Sequence, residues 1–120
     1  MLVRNATEKD RRFSYDFDID LGENTYILQT NGLKVGVLEG EWHTGTLYLD
    51  YIEIHSDFRG RGYGRETIEQ LVKEGVRIIG NAAPESVAFW QKVGVEFGEG
   101  EEYMQAAAKE GFCVPFILHG

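Results

Sequence analysis

The chain has 120 residues, 42% apolar and 27% charged, which suits one globular domain spanning 1–120 and excludes a disordered chain. The 12 basic and 20 acidic residues give a net charge of −8, which argues against nucleic-acid binding and favours a neutral or cationic partner. No apolar stretch is long enough to span a bilayer, and a single cysteine with no secretory signal points to the reducing cytoplasm.

Residues 13–21 alternate apolar and polar side chains, which predicts a first strand with one wet face. Thr25 to Thr30 read as a second strand. Asn31-Gly32 is a hairpin turn, because both positions tolerate φ > 0. Leu33 to Glu39 return as a third strand, Glu41 to Gly45 as a turn, and Thr46 to His55 as a long fourth strand. The period then changes. Gly64, Ile68, Leu71, Val72 and Gly75 form a helical stripe that ends at a glycine. Val76 to Gly80 read as a short buried strand. Pro84 opens a second helix that runs to about Val93 and stops at Gly94. A further strand starts near Val95, Glu101 to Glu110 read as helix or strand, and Phe112 to Leu118 form the last strand. Pro115 marks an edge or a bulge there. Hairpin-linked strands followed by a β-α-β unit predict an α+β fold, a central mixed sheet with helices packed on it and order ββββαβα(β)β.

The fourth strand runs into Phe58-Arg59-Gly60-Arg61-Gly62-Tyr63-Gly64-Arg65, and a helix follows. A helix N-terminus offers free N–H donors, and glycines let the backbone approach an anion closely. Arg59, Arg61 and Arg65 concentrate positive charge on an acidic chain. The turn therefore suits a phosphate or pyrophosphate. It lacks the Gly-Lys-Ser/Thr of a Walker loop, and its G-x-G-x-G spacing departs from the dinucleotide fingerprint.

Arg59-x-x-Gly62-x-Gly64 resembles the Arg/Gln-x-x-Gly-x-Gly/Ala signature of the GNAT-type N-acetyltransferase superfamily. The segment from Asn81 through Trp90 to Val95 resembles that superfamily's second coenzyme region, and Val114 to Leu118 its terminal strand. The resemblance implies a GNAT-like sheet with acetyl-CoA as cosubstrate and no metal. It implies that Ile54 pairs its backbone with the pantetheine arm. The N–H groups of Arg59, Gly60, Arg61, Gly62, Tyr63 and Gly64 would hold the pyrophosphate. The side chains of Arg59, Arg61 and Arg65 are candidates for the adenosine phosphates. Asn81 and Ser86 would lie near the thiol end, with Trp90 as an apolar wall. The N-terminal helical region is abbreviated against the superfamily, because Leu21 to Thr25 leave room only for a turn. That leaves three arrangements open: an open pocket for a large amine acceptor, a homodimer whose second subunit completes it, or a module that binds coenzyme without turnover.

Acetyl transfer to an amine needs a base for the ammonium proton and a donor for the thioester carbonyl. Glu53 and Asp50 on the fourth strand are the base candidates, on opposite faces unless a bulge intervenes. Glu39 and Glu41 rank behind them. The superfamily's usual acid is a tyrosine, and Trp90 stands at that position. Tyr103 and Ser86 are the candidate replacements. His43, His55 and His119 lack metal-ligand spacing, and Cys113 reads as a buried strand residue. The expected activity is acetyl transfer to a primary amine, small molecule or protein. The alternative is a non-catalytic acyl-CoA-binding module.

Overall fold

Asn31 and Gly32 adopt φ of 50° and 80°, and Thr44 and Gly45 adopt 47° and 78°. Positive φ at both central residues matches the twist of the flanking strands, so each pair folds a two-residue hairpin. A computed structural model describes residues 1–98 and 100–120. The first hairpin joins β2 (Thr25–Thr30) to β3 (Leu33–His43), and the second joins β3 to β4 (Thr46–Ile54). Because Thr44 and Gly45 suffice for the turn, β3 continues through His43, past the turn expected from Glu41 onward. The strand β1 (Leu2–Asn5) pairs with β2. Then come α2 (Tyr63–Lys73), β5 (Arg77–Ala82), α3 (Val87–Val93), β6 (Glu96–Phe97), α4 (Gly100–Lys109) and β7 (Val114–Leu118). Between β1 and β2 stands α1 (Arg11–Ser14), a single turn.

The seven strands form one sheet in the order β1-β2-β3-β4-β5-β7-β6. Only β4 and β5 run parallel; every other neighbouring pair is antiparallel. The helix α2 makes the crossover between the parallel pair, as a parallel connection requires. The chain is therefore an α+β protein with a mixed central sheet and helices packed on it.

The strand expected over residues 13–21 is absent. The segment instead forms α1 and an irregular link. Thr7 caps the 3-10 turn Glu8–Asp10 that leads into α1, its N–H donating to Asp10 Oδ2 at 2.8 Å. Phe13 and Phe17, four residues apart, meet with ring centroids at 5.2 Å. With Ile19 they cover Ile27, Val37 and Tyr51 on one face of the sheet. Tyr15, which the alternating pattern places beside them, is 73% exposed. His55 at the end of β4 ties the link down, its Nε2 lying 2.8 Å from Asp16 Oδ2.

The opposite face carries the main core. Leu28, Leu38, Leu47, Leu49, Ile78 and Phe116 pack with Ile68 and Leu71 of α2, Trp90 of α3 and Met104 of α4. Each such side chain contributes about 1.5–3 kcal/mol on burial. Of the segment Glu101 to Glu110, ambiguous in sequence, all but Glu110 falls within α4, which ends at Lys109. Pro115 sits in β7 with its carbonyl accepting from Gly98 N–H at 2.9 Å, so its missing N–H faces the β6 side and leaves the pairing with β5 intact. Among the described residues no helix is long and apolar enough to cross a membrane.

Candidate functional site

Strand β4 carries an extra residue. Glu39 of β3 pairs with Tyr51, but the next residue, Gly40, pairs with Leu49. Asp50 therefore has no partner and forms a bulge, which shifts the alternation of the strand by one. Leu47 and Leu49 face the main core before it, and Ile52 and Ile54 face the same core after it. Tyr51 and Glu53 consequently lie on the other face, with the exposed Asp50 beside them. Plain alternation would have separated Asp50 from Glu53. The bulge brings them together.

The same point is where the sheet opens. β4 and β5 pair from Thr46 and Arg77 to Leu49 and Gly80, and no further. β5 follows β7 to Ala82, while β4 follows β3 to Ile54 and leaves its other edge unpaired. His55 N–H donates to Val35 O of β3 at 2.8 Å. Backbone direction alternates along a strand, so Ile54 and Ile52 turn their N–H and C=O groups away from β3 and toward the gap. A cleft of about 470 Å³ fills this gap. Asp50, Tyr51 and Glu53 line one side, Asn81, Ser86 and Trp90 the other. Trp90 is 4% exposed and stacks on Phe116, centroids 4.2 Å apart. Ser86 Oγ donates to Ala83 O at 3.0 Å.

Tyr51 donates to Glu53 Oε2 at 2.5 Å. Burial, and next the Glu53 carboxylate, hold the Tyr51 phenol well above the usual phenol range. Glu39 lies on this face as well. Burial first, then the charges of Asp50 and Asp20, push its carboxyl up.

Beyond Ile54 the chain enters the glycine turn. Gly60 and Gly62 adopt φ of 78° and 79°, and Gly62 is the N-cap of α2. A Cβ at either glycine would meet nothing within 4 Å, so both border open space. The first bond of α2 is Glu66 N–H to Gly62 O. From Arg59 to Arg65, backbone N–H groups find no acceptor among the described residues. This turn borders a depression of about 260 Å³ that shares Ile54, Gly64 and Phe89 with the cleft. The two form one trough, with amide donors at one end and carboxylates at the other.

Residues 3–95 match the model of the acetyltransferase (GNAT) family. The chain belongs to the GNAT acetyltransferase family. Solved structures agree with it in fold. The Bacillus subtilis N-acetyltransferase YlbP in complex with coenzyme A superposes with a TM-score of 0.59 at 18% identity, covering 93% of this chain and 79% of that one. A putative GNAT acetyltransferase from Bacteroides thetaiotaomicron gives 0.59 at 15%, covering 98% and 72%. The ribosomal-protein-S18-alanine N-acetyltransferase from Escherichia coli gives 0.55 at 15%, covering 98% and 80%. No curated protein sequence matches the chain.

In this GNAT chain the trough gathers most residues expected from sequence: Asp50, Glu53, Ile54, Asn81, Ser86 and Trp90 in the cleft, and Arg59, Gly60, Gly62, Tyr63, Gly64 and Arg65 at the turn. Tyr103 lies elsewhere. Met104 and Ala107 take the buried side of α4, which leaves Tyr103 49% exposed and outside the cleft. The arginines divide their roles. Arg65 pairs with Glu69 at 2.6 Å, and Arg59 bonds Glu53 and the Ile54 carbonyl. Arg61 lies over the Phe58 ring at 5.6 Å and has no carboxylate partner among the described residues. Sequence reasoning missed Tyr51, Glu85 and Phe89, all of which line the cleft. Tyr51 was discoverable, since it stands two residues from Glu53 on one strand. Cys113 is exposed just before β7, against the expected burial. Among the described residues no three His, Cys, Asp or Glu side chains group as a metal site.

Proposed function

We propose that this GNAT protein transfers an acetyl group from acetyl-coenzyme A to a primary amine. The observation that carries the reading is the trough that joins the donor-rich glycine turn to the two carboxylates at the β4 bulge. The residues fit the coenzyme. Positive-φ glycines with open space beside them let backbone N–H groups from Arg59 to Arg65 approach a pyrophosphate, aided by the α2 dipole. Arg61, free of carboxylates among the described residues, is the side chain best able to add a phosphate contact. The unpaired edge of β4 at Ile52 and Ile54 takes the extended arm as an added strand.

Acetyl-coenzyme A would supply the thioester acetyl group, and the chain's own residues do the rest. Asp50 is exposed, borders the cleft and holds no hydrogen-bonded partner among the described residues, so it takes the ammonium proton of the incoming amine. Glu53 has one oxygen on Tyr51 and the other on Arg59, which suits an anchor better than a base. Trp90 walls the thiol end. Its indole N–H can donate a hydrogen bond but has no acidity to offer, and Ser86 is committed to Ala83. The thiolate then leaves without a side-chain acid, which a thiol with a pKa of about 8.5 tolerates.

Trp90 at the usual acid position also favours a second reading, a module that binds acyl-coenzyme A without turnover. Thiol release from acetyl-coenzyme A with a panel of amines, polyamines and peptides separates the two. Amine-dependent release supports the transferase. Coenzyme-dependent thermal stabilisation with no release supports the module.

A further inference from the structure

Arg59 bridges two groups of β4. Its Nε donates to Ile54 O and its Nη2 to Glu53 Oε1, each at 3.0 Å. Ile54 O is turned away from β3 into the trough. It is one of the groups through which the free edge of β4 receives an extended chain. Arg59 already holds it. Glu53 fixes Arg59 there, and Tyr51 in turn fixes Glu53 by donating to its other oxygen. The Arg59 side chain is 59% exposed, and an exposed pair of this kind is weak. A ligand that brings its own N–H to Ile54 O displaces it at small cost. A thioester without amides has nothing to offer in exchange.

We propose that Arg59 is a positioning residue that acts as a displaceable latch on the coenzyme groove. In the free chain it caps the Ile54 carbonyl, with Glu53 and Tyr51 as its anchor, and an amide-bearing arm laid along β4 displaces it. The latch makes occupancy of the groove conditional on an arm with amide donors, so it is a selectivity device as well as a cap. The inference rests on the coenzyme reading above.

The test is nuclear magnetic resonance on the isotope-labelled full chain titrated with coenzyme A. As the backbone amides of Gly60 to Gly64 shift, the Arg59 Nε–H loses its protection from solvent exchange by about tenfold. An Arg59 Nε–H that stays protected in the saturated complex overturns the latch and leaves the coenzyme site standing. No shift at Gly60 to Gly64 overturns both. A second measurement uses pantetheine, which has the amides and no phosphates. Arg59→Met and Glu53→Gln each bind it about threefold more tightly than the wild type, by release of the competing hydrogen bond. Unchanged or weaker pantetheine binding in both variants assigns Arg59 a phosphate or surface role and sinks the latch.

Discussion

Arg4 of β1 and Asp10 of the link meet through two parallel hydrogen bonds of 2.9 Å each. Asp10 is 1% exposed, and it also takes Lys34 Nζ at 2.7 Å and the Thr7 N–H at 2.8 Å. One carboxylate thus fastens the first strand and the third strand to the link whose Phe17 covers Ile27 and Val37.

Asp10→Asn therefore costs about 2 kcal/mol, since it leaves two cations without their shared partner, though both are partly solvated. Arg4, ahead of the opposing desolvation, and then Lys34 and Thr7 hold the Asp10 carboxyl well below the usual carboxylate range. A depressed folded-state pKa gives stability that is present above the unfolded value, about 3.9, and is lost as pH falls through the folded one. Urea unfolding of the wild type and Asp10→Asn should show a full gap at pH 6 that narrows as pH falls below about 4. A gap unchanged down to pH 2.5 contradicts this role.

Trp90 tests whether the missing acid matters. Trp90→Ala removes the ring stacked on Phe116 from a buried site, at about 3–5 kcal/mol by thermal or urea unfolding. Trp90→Tyr keeps a ring of similar shape, so its cost stays near 1–1.5 kcal/mol, and it places a phenol where the proposed function puts the thiol. If departure of the thiolate limits turnover, Trp90→Tyr raises kcat without changing coenzyme affinity. An unchanged or lower kcat shows that the thiolate does not wait for a proton.

How much of this was legible in sequence depended on whether a feature is local. Asn31-Gly32 and the glycine turn announce themselves, because a positive φ needs particular residues at particular places. The α2 stripe from Ile68 to Leu71 repeats at helical spacing and buries as expected. The alternation of Phe13, Tyr15, Phe17 and Ile19 misled, because i,i+2 spacing also contains the i,i+4 pair Phe13 and Phe17 that a helical turn brings together. The true first strand, Leu2–Asn5, is too short to show a period. The bulge at Asp50 is a property of two strands in register. Its trace in sequence is Gly40, where a Cβ would come within 2.7 Å of Tyr48 O, and that clash exists only once β3 and β4 are paired.

The glycine turn yields a clean separation of strain from ligand contact. Gly62 sits at φ 79°, so Gly62→Ala costs about 1–2 kcal/mol from the left-handed backbone alone. Gly62→Asp tolerates that conformation better but brings a carboxylate to the α2 N-terminus. Its fold should be at least as stable as that of Gly62→Ala, while its coenzyme A affinity falls more than about tenfold, one unit charge near a pyrophosphate being worth at least 1.4 kcal/mol there. Calorimetric titration of both variants decides. Equal coenzyme affinity in the two would remove the pyrophosphate from this turn.

Asp50 and Glu53 now share a face, and the division of labour between them is open to measurement. Asp50 faces the cleft without a bonded partner among the described residues, whereas both Glu53 oxygens are occupied. A base must have a free lone pair within reach of the proton it takes. Asp50→Asn keeps the shape of the bulge and removes the charge, so kcat/KM for an amine falls about 100-fold while coenzyme A binds within about twofold of the wild type. The loss should shrink as pH rises toward the pKa of the acceptor amine, since a neutral amine needs no base. Glu53→Gln leaves Asp50 in place and changes kcat/KM by no more than about tenfold, mainly through coenzyme binding. If the two effects are reversed, with Glu53→Gln the severe variant and a loss that narrows at high pH, the base is Glu53, made available by release of Arg59 from its carboxylate.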